Sequence, residues 1–243
     1  MPGAVPFGNA GRMTVKGCLF DFSGTIFRVE PTARWLRAAL SMAGIEATDE
    51  EITRYAARLE EVGALPGGAA PKAVPQALAR LWGERDIDAE RHRAAYVGIA
   101  RGAELPWPQL YDVLYERHMA PAAWQPYPDT AEVLGALKER GLAVGVLSNI
   151  GWDLRPVLRA YGVDGLVDTE VLSFEENVQK PDPRIFRIAC DRLGLAPQDV
   201  LMVGDSAQHD GGATAIGCAF LQVDHLPADR RPDGLRPVLD LVG

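Results

Sequence analysis

The chain has 243 residues, a formal net charge of −8, and is 47% hydrophobic and 24% charged. At about 150 residues per domain, that length implies between one and two structural units, with too much apolar content for a disordered chain. The acidic balance argues against nucleic acid and anionic membranes as partners, although it leaves room for a local basic pocket around a small anion.

Residues 1–12 hold Pro and Gly but lack the basic start and long apolar stretch of a signal peptide. They read as a flexible leader, with Met13 as an alternative start. Residues 14–20 form a short apolar run, followed by a turn over 21–24. The middle of the chain favours helix over 31–43, 49–61, 74–81, 89–100 and 108–118, with Thr48 and Glu51 spaced as a capping box. The stretch 65–75, rich in Pro, Gly and Ala, reads as a loop. Residues 130–140 have helical spacing and stop at Gly141, and 142–147 is a continuous apolar run of the kind buried on both faces of a sheet. A helix over 182–193, a strand over 200–203, a small-residue helix over 209–216 and a strand over 218–223 complete the chain.

Alternation of strand and helix predicts an α/β fold, a doubly wound parallel sheet, with the central helical segment inserted into it. Aromatic usage marks the same division. Four of the five tryptophans and five of the six tyrosines fall in residues 30–127, and all seven phenylalanines fall outside them. The expected organisation is a core from 13–29 plus 126–243 and a helical cap from 30–125. Cys18, Cys190 and Cys218 sit among apolar neighbours without metal-ligand spacing. They read as buried thiols in a reducing compartment, the cytoplasm. No run reaches 18 apolar residues, so no membrane span is expected.

Ligands of open parallel sheets bind beyond the carboxyl ends of the strands. There the sequence places Asp21-Phe22-Ser23-Gly24-Thr25, Ser148-Asn149, and Gly204-Asp205-Ser206 with Asp210, and it puts Lys180-Pro181-Asp182 before a helix. Each alone is an ordinary cap or loop; together they bring carboxylates, a hydroxyl and a lysine to one sheet edge. A carboxylate such as Asp21 can attack phosphorus and form an aspartyl-phosphate. Two anions approach each other only with help from positive charge, and Mg²⁺ typically takes one or two carboxylates plus water and phosphate.

In order and content these four motifs resemble the haloacid dehalogenase-like hydrolase superfamily, over residues 14–29 and 126–243. The long helical insertion after the first motif is similar to that superfamily's mobile cap. The resemblance implies Mg²⁺-dependent hydrolysis of a small phosphorylated molecule through Asp21. It assigns Asp21, Asp205 and the backbone carbonyl of Ser23 to the metal, with Asp210 behind them. Lys180, Ser148 and the backbone N–H groups of Phe22, Ser23 and Asn149 would hold the phosphoryl oxygens. A monomer or homodimer is expected.

One position departs from the family's phosphatases, which carry a second Asp where this chain has Ser23. A hydroxyl is too weak an acid to replace it, and general acid–base help is typically worth 10²–10⁴-fold. Ser23 also resembles the hydroxyl residue of the P-type ATPase motif, whose leaving group needs no proton. The alternatives are a phosphonate hydrolase, for which Lys72 is the only cap lysine; a 2-haloacid dehalogenase, whose relatives carry Tyr here and need no metal; and a non-catalytic binding protein. Of the cap histidines, His92 and His118, the second is slightly preferred as a replacement acid; His209 falls in the last motif between Asp205 and Asp210, and His225 follows the last strand. Arg34 and Arg37 are candidates for a second anionic group, and Tyr111 and Tyr115 for a bulky substrate.

Overall fold

A strand whose every side chain is buried belongs in the middle of a sheet covered on both faces, and the run Gly17–Phe20 is of that kind. The computed structural model, which describes residues 15–242, places it at the centre. The expected leader and the alternative start lie outside those residues. The strands are β1 (Gly17–Phe20), β2 (Phe27–Val29), β3 (Trp124–Pro126), β4 (Ala143–Ser148), β5 (Thr169–Leu172), β6 (Val200–Gly204) and β7 (Ala219–Gln222). Five of them form a parallel sheet in the order β5-β4-β1-β6-β7, with Gly17 in register with Ala143 on one side and Val200 on the other. Chain order reverses around β1, which puts the ligand crevice at its carboxyl end.

The helices are α1 (Thr32–Met42), α2 (Asp49–Glu61), α3 (Ala79–Gly83), α4 (Ala89–Arg101), α5 (Leu110–Met119), α6 (Thr130–Glu139), α7 (Arg155–Ala160), α8 (Ser173–Glu176), α9 (Pro183–Leu193) and α10 (Pro237–Leu241). Alternate strand residues point to opposite faces. Cys18, Phe20, Val144, Val146, Leu201 and Val203 meet α6 and α10 on one face. Leu19, Leu147, Val200 and Met202 meet α9 on the other. Cys190 and Cys218 lie on that second face as free thiols with sulfurs 3.8 Å apart, a pairing across 28 residues that spacing alone does not reveal.

Helices α1 to α5 form the inserted cap. The chain leaves and re-enters the core through an antiparallel ribbon, β2 against β3, with Val29 opposite Trp124. The capping box forms: Glu51 N donates to Thr48 Oγ1, and Thr48 N donates to Glu51 Oε2. Tryptophan and phenylalanine, segregated in sequence, meet at the seam, where Phe22 packs on Trp124 (4.7 Å between centroids), Phe27 (5.1 Å) and Trp152 (6.2 Å).

Several elements differ from the sequence reading. The expected helix over 74–81 splits into a 3-10 turn at Gln76–Leu78 and the short α3. The expected helix over 209–216 is a 3-10 helix, Asp210–Ile216, loosened by adjacent glycines. β5 is an added edge strand. Its outer residues Thr169 and Glu170 are only half-buried, so it lacks a continuous apolar run. No helix among the described residues is long and apolar enough to cross a membrane.

Candidate active site

Asp21 follows β1 directly, and its backbone N–H donates to Val203 O on β6. The ammonium of Lys180 is buried and uses all three of its protons, on Asp21 Oδ1 (2.7 Å), Asp210 Oδ1 (2.6 Å) and Leu147 O (3.0 Å). Asp210 Oδ2 accepts from Ser206 N. The 3-10 helix can bring Asp210 this close only because residue 204 is glycine: a Cβ there would lie 2.2 Å from the Asp210 carboxylate. Gly24 is required twice over. Its φ of +81° is left-handed, and a Cβ would stand 2.3 Å from His225 Nδ1 and 2.7 Å from Asp205 Oδ2.

The site is crowded with like charge. One carboxylate oxygen from each of Asp21, Asp205 and Asp210 falls within 4.8 Å of the others. Burial pushes the Asp21 carboxyl up to about 7; Lys180 opposes this, while Asp210 and Asp205 add to it. Burial works against the charge on Lys180, but Asp21 and Asp210 outweigh it and hold the ammonium above the usual lysine value. Three carboxylates against one lysine leave surplus negative charge, and their hard oxygens suit a divalent cation such as Mg²⁺.

Asp21, Phe22, Ser23, Ser148, Asn149, Lys180, Asp205 and Asp210 all border one cavity of about 240 Å³ between core and cap. Asn149 also has a supporting role there. Its side chain donates to Lys180 O (2.9 Å) and accepts from Lys180 N (2.7 Å), so it fixes the backbone that carries the lysine. The Ser23 hydroxyl is enclosed and has no hydrogen-bond partner among the described residues. Residues 65–71 of the predicted loop, with Trp82, Arg85, Asp86, His92 and Tyr96, form the cap side of the cavity.

Other expectations are corrected. His118 does not border the cavity; it is buried against Trp152 and Tyr115, and burial pushes it down to about 3. Arg34 and Arg37 are exposed and paired with Glu30 and Asp49. Lys72 is exposed and faces Glu61 at 3.5 Å, so no cap lysine reaches the nucleophile. Tyr111 OH accepts from Leu105 N, and Tyr115 OH pairs with His92 Nδ1; both belong to the cap's interior. The aromatic lining comes instead from Trp82, Tyr96, Trp124 and Trp152.

Sequence reasoning missed Arg231 and Asp86, and it gave His225 no place beside Asp205. Arg28 reaches His225 Nε2; since a guanidinium only donates, His225 Nδ1 carries the proton and gives it to Asp205 Oδ2. His225 lies just past β7, where the strand-end rule places residues that face a ligand. Arg231 is buried, donates to Gly24 O (2.6 Å) and to Thr25 O, and stacks on Tyr127, tying the nucleophile loop to the C-terminal segment. No local pattern marks it.

A lysine-clamped carboxylate at the end of a parallel sheet, covered by an inserted helical cap, is the arrangement of a cap-covered α/β hydrolase. The chain belongs to the haloacid dehalogenase-like hydrolase family, whose family model matches residues 15–217. It is 40% identical over 100 residues to (S)-2-haloacid dehalogenase 4A of Burkholderia cepacia, a match covering 40% of this chain and 43% of that one. It is 27% identical over 210 residues to a phosphoglycolate phosphatase of Shigella boydii, covering 84% and 79%. The crystal structure of a dehalogenase with an intermediate complex aligns with a TM-score of 0.63 at 24% identity, covering 87% of this chain and 85% of that one. The match to the Burkholderia dehalogenase thus spans less than half of that relative's length.

Proposed function

We propose that this protein hydrolyses a small phosphorylated compound through an aspartyl-phosphate on Asp21, with Mg²⁺ held by Asp21, Asp205 and the backbone carbonyl of Ser23. The observation that carries the reading is the cluster of Asp21, Asp205 and Asp210 beside Lys180. A bound divalent cation would offset the repulsion among these carboxylates, favour ionised Asp21 and draw charge from a phosphoryl oxygen.

Lys180 occupies Asp21 Oδ1, which leaves Oδ2 to attack phosphorus in line. Lys180 also lowers the barrier between the nucleophile and an anionic phosphoryl group. Ser148, with the N–H groups of Phe22, Ser23 and Asn149, receives the remaining phosphoryl oxygens as charge spreads over them. The cavity volume fits a small molecule. The buried thiols suit a reducing compartment such as the cytoplasm.

Relatives named as 2-haloacid dehalogenases favour a second reading, displacement of halide by Asp21. It makes no use of the three-carboxylate cluster, whose surplus negative charge repels a haloacid's own carboxylate. Phosphate release from a panel of phosphorylated metabolites, with and without Mg²⁺, separates the two when run beside halide release from 2-chloropropionate. The expected result is Mg²⁺-dependent phosphate release, reduced to background by Asp21→Asn. Metal-independent halide release without phosphate release overturns the phosphatase reading.

A further inference from the structure

The carboxyl group that Ser23 lacks has a counterpart on the cap side of the cavity. Asp86 lies in a 3-10 turn, Arg85–Ile87, between α3 and α4, and borders the same cavity as Asp21 and Ser23 although it is only 3% exposed. The turn is docked on the core through Gln179, the residue before the lysine of the site. Asp86 N donates to Gln179 Oε1 (3.3 Å), and Gln179 Nε2 donates to Gly83 O (2.8 Å). A solvated acidic turn would have no such anchor.

The Asp86 carboxylate is held loosely. Arg85 Nη2 stands 3.4 Å away and His92 Nε2 3.7 Å away, both longer than a close ion pair. The groups facing it are Arg85 on its own turn, His92 and Tyr96 on α4, Tyr115 on α5, and Lys180 and His209 from the core. Burial and the neighbouring His118 keep His92 neutral, well below the ordinary histidine value. His92 Nδ1 pairs with Tyr115 OH (2.7 Å), which leaves its Nε2 facing Asp86. Burial raises the Asp86 carboxyl above its ordinary value, against the pull of Arg85, His209 and Lys180. The histidines bordering the cavity have other engagements: His92 with Tyr115, His209 with Ser206, and His225 with Asp205 and Arg28.

We propose that Asp86, carried into the cavity by the cap, is the general acid and base of the reaction at Asp21. This rests on the phosphatase reading above. In the first step an Asp21 oxygen bonds to phosphorus, the bond from phosphorus to the leaving oxygen breaks, and the Asp86 proton passes to that oxygen, giving the alcohol. In the second step water attacks phosphorus and gives a proton to the Asp86 carboxylate. The bond from phosphorus to the Asp21 oxygen breaks, which frees phosphate and restores both carboxyl groups. Since the acid rides on the cap, the catalytic set is complete only while cap and core are docked.

The test compares an alkyl ester, glycerol phosphate, with para-nitrophenyl phosphate, whose leaving group needs no proton. In Asp86→Asn, turnover of the alkyl ester falls by about 10²–10⁴-fold. The aryl ester still gives a rapid burst of one nitrophenolate per enzyme, followed by slow turnover, because the first step survives and the second does not. Adding Ser23→Asp to Asp86→Asn restores alkyl-ester turnover, and Asp86→Glu, which keeps a carboxyl, retains it. Wild-type turnover of the alkyl ester in Asp86→Asn overturns the proposal. So does parallel loss of burst and turnover in a variant with wild-type circular dichroism, which is what a merely structural role would give. A variant that loses its fold moves the decision to Asp86→Glu, where loss of alkyl-ester turnover in folded protein is equally fatal. If wild-type protein hydrolyses neither ester nor any metabolite of the panel, the phosphatase reading itself fails and this proposal goes with it.

Discussion

Asp21 must be ionised to attack, yet it sits where ionisation is hardest: buried, with two carboxylates nearby and one lysine in compensation. The same conflict governs stability. Burial holds the Asp21 carboxyl up at about 7 in the folded protein, against about 4 for an ordinary aspartate, so between about pH 4 and 7 the folded state holds a proton that the unfolded state has released. Its contribution is therefore fully present below about pH 4 and lost as pH rises through 7. In metal-free buffer, the wild-type melting temperature should fall more between pH 5 and 8 than that of Asp21→Asn, whose amide does not titrate. Adding Mg²⁺ at pH 8 should recover the wild type by mass action, by about 2.7 kcal/mol at a hundred times its dissociation constant. Equal pH slopes for the two proteins in scanning calorimetry would show that Asp21 is not the strained group.

Where the cap joins the core, the ribbon strands β2 and β3 are only three residues each, too short to hold a hinge by ladder hydrogen bonds alone. An ion pair reinforces them. Arg117 near the end of α5 grips Glu30 bidentately, at 2.7 and 2.9 Å, and donates to Ala122 O. Glu30 is 5% exposed, so removing its partner strands a buried carboxylate that the exposed Arg34 only partly covers. Arg117→Ala should cost about 3 kcal/mol, a fall of roughly 6–12 °C in melting temperature for a chain of this size; a fall under 2 °C would mean that the seam does not depend on this pair. Scale also explains what the sequence revealed. β1, β4 and β6 are covered on both faces and announce themselves as apolar runs, and their strand-end residues follow with them. The ribbon and β5 are too short or too polar to stand out. Asp86 sits in Glu84-Arg85-Asp86-Ile87-Asp88, which reads as a solvated charged turn; its burial comes from packing against α4 and α8, with its backbone tied to Gln179, 93 residues away.

At the scale of the molecule, the aromatic division of the sequence coexists with a single body of packing. The apolar cluster on one face of the sheet runs without a break from Phe20 and Val144 through Phe22, Trp124 and Trp152 into Trp35, Leu59 and Leu114 of the cap. A cap that shares its hydrophobic core with the sheet should not melt alone, because opening it exposes the seam that supports both. The chain carries its own probes for this. Trp35, Trp82 and Trp107 lie in the cap and Trp124 and Trp152 at the seam, whereas Cys18, Cys190 and Cys218 all lie in the sheet layers. Burial pushes the Cys18 thiol up to about 12, so it reacts only after the sheet opens. In urea, tryptophan fluorescence and brief thiol labelling should therefore report the same midpoint. A fluorescence transition completed before any thiol becomes reactive would make the cap an independent unit. Arg117→Ala should move both curves together to lower urea, since a weakened seam in a shared core lowers the stability of the whole.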